Sequence, residues 1–226
     1  LINYALFLHL GTFFAAVVYF WKDIKNIFIA LVSPQSAEEG SRNILIFLIL
    51  TTLLTALGQF IVNGASALAH SAPHAKTALT CLIAALLIVA GFLQLKTKSD
   101  GKRTPKNIVI LDGILLGIVQ AIATLPGLSR AGTTIAALSF RGFGQENALK
   151  LSFLMSLPVI LLGNIIKNYH MLFTAGTHWL GAAVAFAVGI ITIGSLMNFA
   201  RRINFGAFLI FIGSVLTIAV VTGLID

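Results

Sequence analysis

The residues best suited to chemistry lie in the stretch LPGLSRAGTTI, residues 125–135, which interrupts a very apolar region. Its two glycines permit a tight turn and a close approach of ligand to backbone. Its arginine supplies a full charge with a planar fork of N–H donors, and two hydroxyl side chains add further donors. A helix restarting near residue 132 would point free N–H groups at the same place. The stretch therefore predicts an anion site, best suited to phosphate, formed by Gly127, Ser129, Arg130, Gly132 and Thr134.

The composition is that of an integral membrane protein. Of the 226 residues, 58% are hydrophobic and only 10% are charged, and the mean hydropathy is +0.99. A typical soluble domain carries roughly 25% charged residues. The net charge of +8 comes mostly from short loops between apolar runs, which indicates membrane orientation and no nucleic-acid partner. Cys81 is the single cysteine, so there is no disulfide framework.

An arginine inside an apolar membrane segment is costly and by default marks a functional site. The alternative is that Arg130 extends to the membrane interface, or bonds loop carbonyls as a structural clip. Several turn-forming and polar residues packed beside Arg130 favour the functional interpretation.

Six apolar runs are long enough to cross a bilayer, which needs about 20 helical residues. They are predicted at approximately 3–20, 43–63, 77–95, 149–167, 179–198 and 205–225. The region 108–140 differs, because the piece after the Pro-Gly break is too short to cross. Either 108–125 crosses fully, or 108–140 enters and leaves on one side as a re-entrant helical hairpin.

The positive-inside rule separates these two topologies. With a re-entrant hairpin, one side carries only Lys76 and Lys167, whereas full crossing by 108–125 divides the basic residues nine to five. The other side of the re-entrant topology carries twelve: Lys22, Lys25, Arg42, Lys96, Lys98, Lys102, Arg103, Lys106, Arg141, Lys150, Arg201 and Arg202. The sequence therefore predicts an all-α polytopic membrane protein with one re-entrant hairpin and its basic side in the cytoplasm.

The three spans of residues 1–95 match the three spans that end the chain in order and length. In the chosen topology the two sets run in opposite directions, which is the plan of inverted-topology repeats. We interpret 1–226 as a single membrane domain, with a first repeat in 1–95 and a second in 108–226 that begins with the hairpin 108–140. The first repeat has no preceding hairpin, so we expect a matching module before residue 3.

The sequence GIVQAIATLPGLSRAGTTI, residues 117–135, resembles the signature of the undecaprenyl-diphosphate phosphatase family, the BacA type of bacitracin-resistance proteins. That signature runs roughly Q-x-x-A-x-x-P-G-x-S-R-S-G-x-T. The resemblance extends through residues 146–163, 8–24 and 201–216, and so covers nearly the whole chain. One departure is Ala131, where the family usually has Ser, so that one hydroxyl donor is lost.

The resemblance implies that this is a multi-pass protein of the bacterial inner membrane that hydrolyses undecaprenyl diphosphate. The product, undecaprenyl phosphate, is the recycled lipid carrier of cell-wall synthesis, and the activity gives bacitracin resistance. Ser129 and Arg130 match the family's phosphate-binding pair and are the expected catalytic residues. Thr134 matches its following Thr and Gln120 the Gln before the break, so both are expected to bind substrate with Gly127 and Gly132.

The family's second motif, a Glu-rich block running into Pro-x-Ser-Ser-x-Gly-His, precedes its first long helix. The family's glutamates imply a divalent cation, Mg²⁺ or Ca²⁺, and we expect its ligands to lie outside this chain. The chain is then expected to hold half an active site. A homodimer is compatible with such a fold, and the sequence leaves the oligomeric state open.

Two other observations leave alternatives open. His9 lies near the middle of the first span, where it could line the cavity and contact substrate, or bond a neighbouring helix. Structural or solvated roles are expected for the acids Glu38, Glu39, Asp112 and Glu146. Broken helices with positive N-termini also occur in transporters, so the second functional interpretation is a transporter or flippase for an anionic or polyprenyl-phosphate ligand.

Overall fold

The computed structural model of the protein describes residues 2–69, 75–96, 101–124, 130–169, 176, 178–200 and 205–222. Within these residues the regular structure is helical, apart from isolated bridges that join Lys102 and Arg103 to Phe143. The prediction of an all-α protein is confirmed for this part of the chain. Apolar runs of about 20 residues predict membrane-spanning helices.

The helices follow the predicted spans closely. In chain order they are α1 (Ile2–Tyr19), α2 (Trp21–Val32), α3 (Ser41–Ala69), α4 (Ala75–Lys96), α5 (Ile110–Ile122), α6 (Arg130–Phe140), α7 (Gln145–Lys167), α8 (His178–Ala200) and α9 (Phe205–Val221). A 3₁₀ turn, Pro105–Asn107, precedes α5. Among the residues that the structure describes, three stretches are both long and apolar enough to cross a membrane: Ser41–Ile61, Gln145–Lys167 and His178–Phe199. The count of six spans remains a prediction.

Helix α2 had no counterpart in the predicted spans. It is amphipathic: Lys22 and Lys25 are exposed, Ala30 is buried, and Ile27 packs against the core. Its Asp23 forms an ion pair with Lys150 of α7, with the two atoms 2.5 Å apart. A short helix with basic residues on one face and apolar residues on the other is suited to lying in the membrane interface.

Small residues bring the helices into close contact. A Cβ atom on Gly11 of α1 would collide with the carbonyl oxygen of Ala182 on α8. Where α4 packs on α9, Gly91 and Gly206 each face the other's carbonyl oxygen. Lipid provides no hydrophobic drive for helix association, so backbone approach through small residues is the usual way to gain packing contacts. The contact at Gly11 holds α1 and α8 side by side, and both helices line one cavity.

The core lies where α3, α5, α6 and α7 converge. Its fully buried side chains include Phe47, Leu116, Leu138, Leu151 and Met155. By contrast, large apolar side chains such as Phe60 and Ile166 are mostly exposed, as expected for surfaces that face lipid. The pair α5–α6, which carries the predicted site residues, is therefore built into the packed centre of the protein.

Candidate functional site

A buried carboxylate ties together the two ends of the α5–α6 hairpin. Asp112, in the first turn of α5, has no exposed side-chain surface and receives Arg103 on both oxygens, at 3.1 Å and 2.5 Å. Arg141, which follows α6, donates from Nε to the Asp112 Oδ1 atom at 2.7 Å. The backbone N–H of Val109 donates to the other oxygen at 3.0 Å. Residues 103, 112 and 141 thus meet at one point, which we call the basal clamp.

The basal clamp holds the start of α5 beside the residue that follows α6. The re-entrant course of residues 108–140 remains a prediction. Arg103 also donates to the carbonyl oxygen of Arg141 at 3.0 Å and lies 4.4 Å over the ring of Phe143. Both ends of the hairpin are therefore fixed, and α5 packs directly on α6. The structural role expected for Asp112 agrees with this arrangement.

Arg130 opens α6 and lines a cavity of about 490 Å³ between α1, α6, α7 and α8. The cavity has an apolar wall, which includes Leu149, Phe153 and Val188, and six polar side chains: His9, Thr12, Arg130, Ser152, Ser156 and Thr192. No carboxylate is among the described residues that line it. A positive charge and helix N–H groups in such a space favour an anion that carries a hydrophobic group.

The structure brings some of the predicted site residues together and separates others. Arg130 and His9 line the same cavity, and Gly132 lies in the first turn of α6. Ser129 and Gly127 lie outside the described residues.

Thr134 is almost completely buried and connects α6 to α7. Its Oγ1 atom lies 2.7 Å from the Oγ atom of Ser152, 2.9 Å from the carbonyl oxygen of Arg130 and 3.1 Å from that of Ala131. Since only 1% of Thr134 is exposed, its hydroxyl group forms its hydrogen bonds with neighbouring protein groups.

Gln120 faces α3. Its Nε2 atom donates to Thr55 Oγ1 at 2.9 Å, and Thr55 in turn donates to the carbonyl oxygen of Thr51 at 2.6 Å. The Gln120 Oε1 atom is buried and has no hydrogen-bond partner among the described residues. An orphan acceptor of this kind, close to the end of α5, can accept one further hydrogen bond.

Sequence reasoning did not single out Ser152 or Ser156. Isolated hydroxyl residues are common in apolar helices, where they bond their own backbone. A usable signal was present in their spacing of four, which places both on one face of α7 and toward the same cavity.

The residues described by the structure do not fit a divalent cation. They contain no group of three or more His, Cys, Asp or Glu side chains that could hold a metal ion. Hard cations bind mainly through carboxylate and carbonyl oxygens, whereas the cavity presents Arg130 and His9. The described part of this chain therefore offers groups for an anion and no set of ligands for a cation.

The chain matches the family described as "Bacitracin resistance protein BacA" over residues 1–218. A protein of Methanococcoides burtonii named "Undecaprenyl-diphosphatase" is 33% identical over 224 residues, covering 94% of this chain and 82% of the relative. Proteins of the same name from Thermodesulfovibrio yellowstonii and Thermomicrobium roseum are 30% and 31% identical; they cover 92% and 90% of this chain, and 76% and 78% of their own lengths.

Proposed function

The chain belongs to the bacitracin resistance protein BacA family, and on that premise we propose that it is a membrane phosphatase that hydrolyses undecaprenyl diphosphate. The products are undecaprenyl phosphate, the lipid carrier of cell-wall synthesis, and inorganic phosphate. The observation that carries this proposal is Arg130, which opens α6 into a cavity whose described walls contain no acid. A lipid diphosphate combines the anion and the apolar chain that such a cavity favours.

Arg130 and the first turn of α6 bind the diphosphate and neutralise charge on the phosphoryl group being transferred. Hydrolysis replaces one P–O bond of the anhydride by a bond to a water oxygen, and the displaced oxygen stays with the lipid phosphate. Most of the catalysis of such a step comes from positioning and charge stabilisation. Ser129, next to Arg130, and Gly127 in the turn complete this anion site in the proposal.

The remaining predicted residues take supporting positions in the proposal. His9 shares the cavity with Arg130, which supports a contact with substrate. Thr134 holds the start of α6 against α7, and Gln120 offers a buried acceptor oxygen near the end of α5. The family resemblance implies that a cation, with the groups that activate water, belongs to the second family motif.

Inverted repeats and a re-entrant hairpin belong to the same proposal. The first repeat comprises α1, α3 and α4, and the second comprises the hairpin with α7, α8 and α9. Two of the three pairs that correspond in this scheme pack on each other, α1 on α7 and α4 on α9, as expected for elements close to a twofold axis. The basal clamp, which joins Asp112 to Arg141, supports entry and exit of the hairpin on one side of the plasma membrane.

Cysteine labelling tests this topology. Lys102 precedes the hairpin and Lys167 ends α7, and both are exposed. In a Cys81→Ala background, we expect an impermeant thiol reagent outside the cell to label Lys167→Cys and to leave Lys102→Cys unlabelled until the membrane is opened. Position 101 is unsuitable for a labelling cysteine, because a Cβ there would collide with the carbonyl oxygen of Gly142.

The two positions also separate the two topologies. A hairpin followed by one crossing helix puts Lys102 and Lys167 on opposite sides. If α5 crossed the membrane, α7 would return the chain, and both cysteines would react from the same side. Equal labelling would therefore contradict the re-entrant hairpin, and labelling of Lys102→Cys alone would reverse the orientation.

Phosphate release tests the activity against the transporter alternative. We expect protein that carries both family motifs to release phosphate from undecaprenyl diphosphate in detergent, where no compartments exist. A transporter would move the intact lipid between leaflets of vesicles and release no phosphate. The names of the relatives favour hydrolysis. A homodimer remains a prediction from the sequence, which the mass of the purified protein in detergent would test.

A further inference from the structure

Ser152 of α7 lines the same cavity as Arg130. Only 6% of Ser152 is exposed, and its Oγ atom lies 2.7 Å from Thr134 Oγ1. We infer that Ser152 is a substrate-binding residue that donates a hydrogen bond to the diphosphate. The inference rests on the proposed function and adds a residue on a helix outside the hairpin.

The hydrogen bonds of Thr134 show why the Ser152 hydrogen is available. The Thr134 hydroxyl has one hydrogen and three oxygen atoms within reach: Ser152 Oγ and the carbonyl oxygens of Arg130 and Ala131. With the cavity empty, Thr134 can bond its own helix, as threonine commonly does, and accept from Ser152. With an anion present, Thr134 can donate to Ser152, which then donates into the cavity.

The second arrangement is a chain of hydrogen bonds that ends on the anion. Each bond in such a chain polarises the next, and the last is strengthened because its acceptor is charged. The low exposure of both hydroxyl groups keeps bulk water from competing. The pair can therefore satisfy its own hydrogen bonds before substrate arrives and still offer a donor afterwards.

Position 131 explains what Ser152 contributes. Ala131 lines the same cavity from the first turn of α6. A methyl group cannot donate a hydrogen bond, so position 131 offers an anion no side-chain contact. Ser152, held one hydrogen bond from that turn by Thr134, supplies a hydroxyl from the opposite helix.

Ser156 provides a matched control. It lies one turn further along α7 and lines the same cavity, but its hydroxyl donates to the carbonyl oxygen of Phe153 at 2.6 Å. Its hydrogen is therefore used within its own helix, and we do not place it in the binding site. Ser156→Ala removes the same atom from the same helix face without removing the proposed donor.

The test compares the two variants in phosphate release and in binding of farnesyl diphosphate to the purified protein. A hydrogen bond to a charged group contributes enough that we expect Ser152→Ala to raise KM and weaken binding by about tenfold to a hundredfold. Ser156→Ala should change both by less than about threefold. Adding Ala131→Ser to Ser152→Ala should recover part of the loss, which a packing role of Ser152 would not allow.

Each result decides one of the two proposals. If the wild type hydrolyses undecaprenyl diphosphate and Ser152→Ala matches Ser156→Ala, the inference is wrong and the function stands. If the wild type with both family motifs present releases no phosphate, the function is wrong, and farnesyl diphosphate binding alone decides the role of Ser152. Should Ser152→Ala fail to fold, Ser152→Cys keeps the size with a weak donor, and unchanged binding by that variant would overturn the inference.

Discussion

Replacing Arg130 with alanine is expected to lower kcat/KM for undecaprenyl diphosphate by about a thousandfold or more, the range seen when charge-stabilising groups are removed from phosphoryl-transfer sites. The guanidinium group stands at the start of α6, where the helix N–H groups also point. No other cationic side chain of Lys or Arg is among the described residues that line the cavity. Phosphate release measured at several substrate concentrations checks this prediction.

The stability of the Arg130→Ala variant separates a functional role from a structural one. Among the described residues Arg130 has no ion pair, and a charge held away from water without a partner destabilises the fold. We therefore expect its thermal unfolding temperature to stay the same or to rise. A structural clip predicts the opposite result, a clear loss of stability.

Arg130→Lys is the matched control for charge. Lysine keeps the positive charge but lacks the planar fork that binds two oxygens of a phosphate group. It should retain more activity than alanine and remain well below the wild type. Near-normal turnover by the alanine variant would contradict the assignment of Arg130 to the active site.

The sequence predicted the helices because they depend on local properties, whereas the re-entrant hairpin remains a prediction. Apolar runs of sufficient length marked six helices, and the break at Pro126 and Gly127 marked where α5 and α6 separate. Helix α2 was missed because it is too short to cross a bilayer and carries Lys22 and Lys25. Its apolar face is recognised only from packing on the core.

The site was predictable only in part, for a different reason. The types and spacing of residues 125–135 indicated an anion site, but spacing along the chain could not show what faces it from other helices. Thr134 bonds Ser152 across 18 residues, and Gln120 bonds Thr55 across 65. Such partners depend on how helices are arranged, and a single sequence does not determine that arrangement.

Replacing Asp112 is expected to lower the stability of the protein strongly. Asp112→Ala would leave Arg103 and Arg141 facing each other without the carboxylate that now accepts from both. Breaking a buried ion pair by removing one partner typically costs about 3–5 kcal/mol. We expect a marked fall in unfolding temperature in detergent, with loss of phosphate release at temperatures where the variant unfolds.

The pair Lys106–Glu39 is the control for the basal clamp. Its atoms lie 3.0 Å apart, but both side chains are mostly exposed, at 62% and 84%. Exposed pairs contribute about 0–1 kcal/mol, so Glu39→Gln should leave the unfolding temperature nearly unchanged. Equal effects of Glu39→Gln and Asp112→Ala would contradict the clamp.

Asp112→Asn separates the charge of the clamp from its shape. The amide keeps one acceptor oxygen for an arginine and loses the negative charge that balances two, so stability should fall to an intermediate value. Because the clamp lies at the base of the hairpin and Arg130 begins the helix that returns from its tip, variants at Asp112 should recover activity on cooling. Variants at Arg130 should not. An Asp112 variant that is stable but inactive at every temperature would show that the carboxylate acts in the reaction and not through the hairpin.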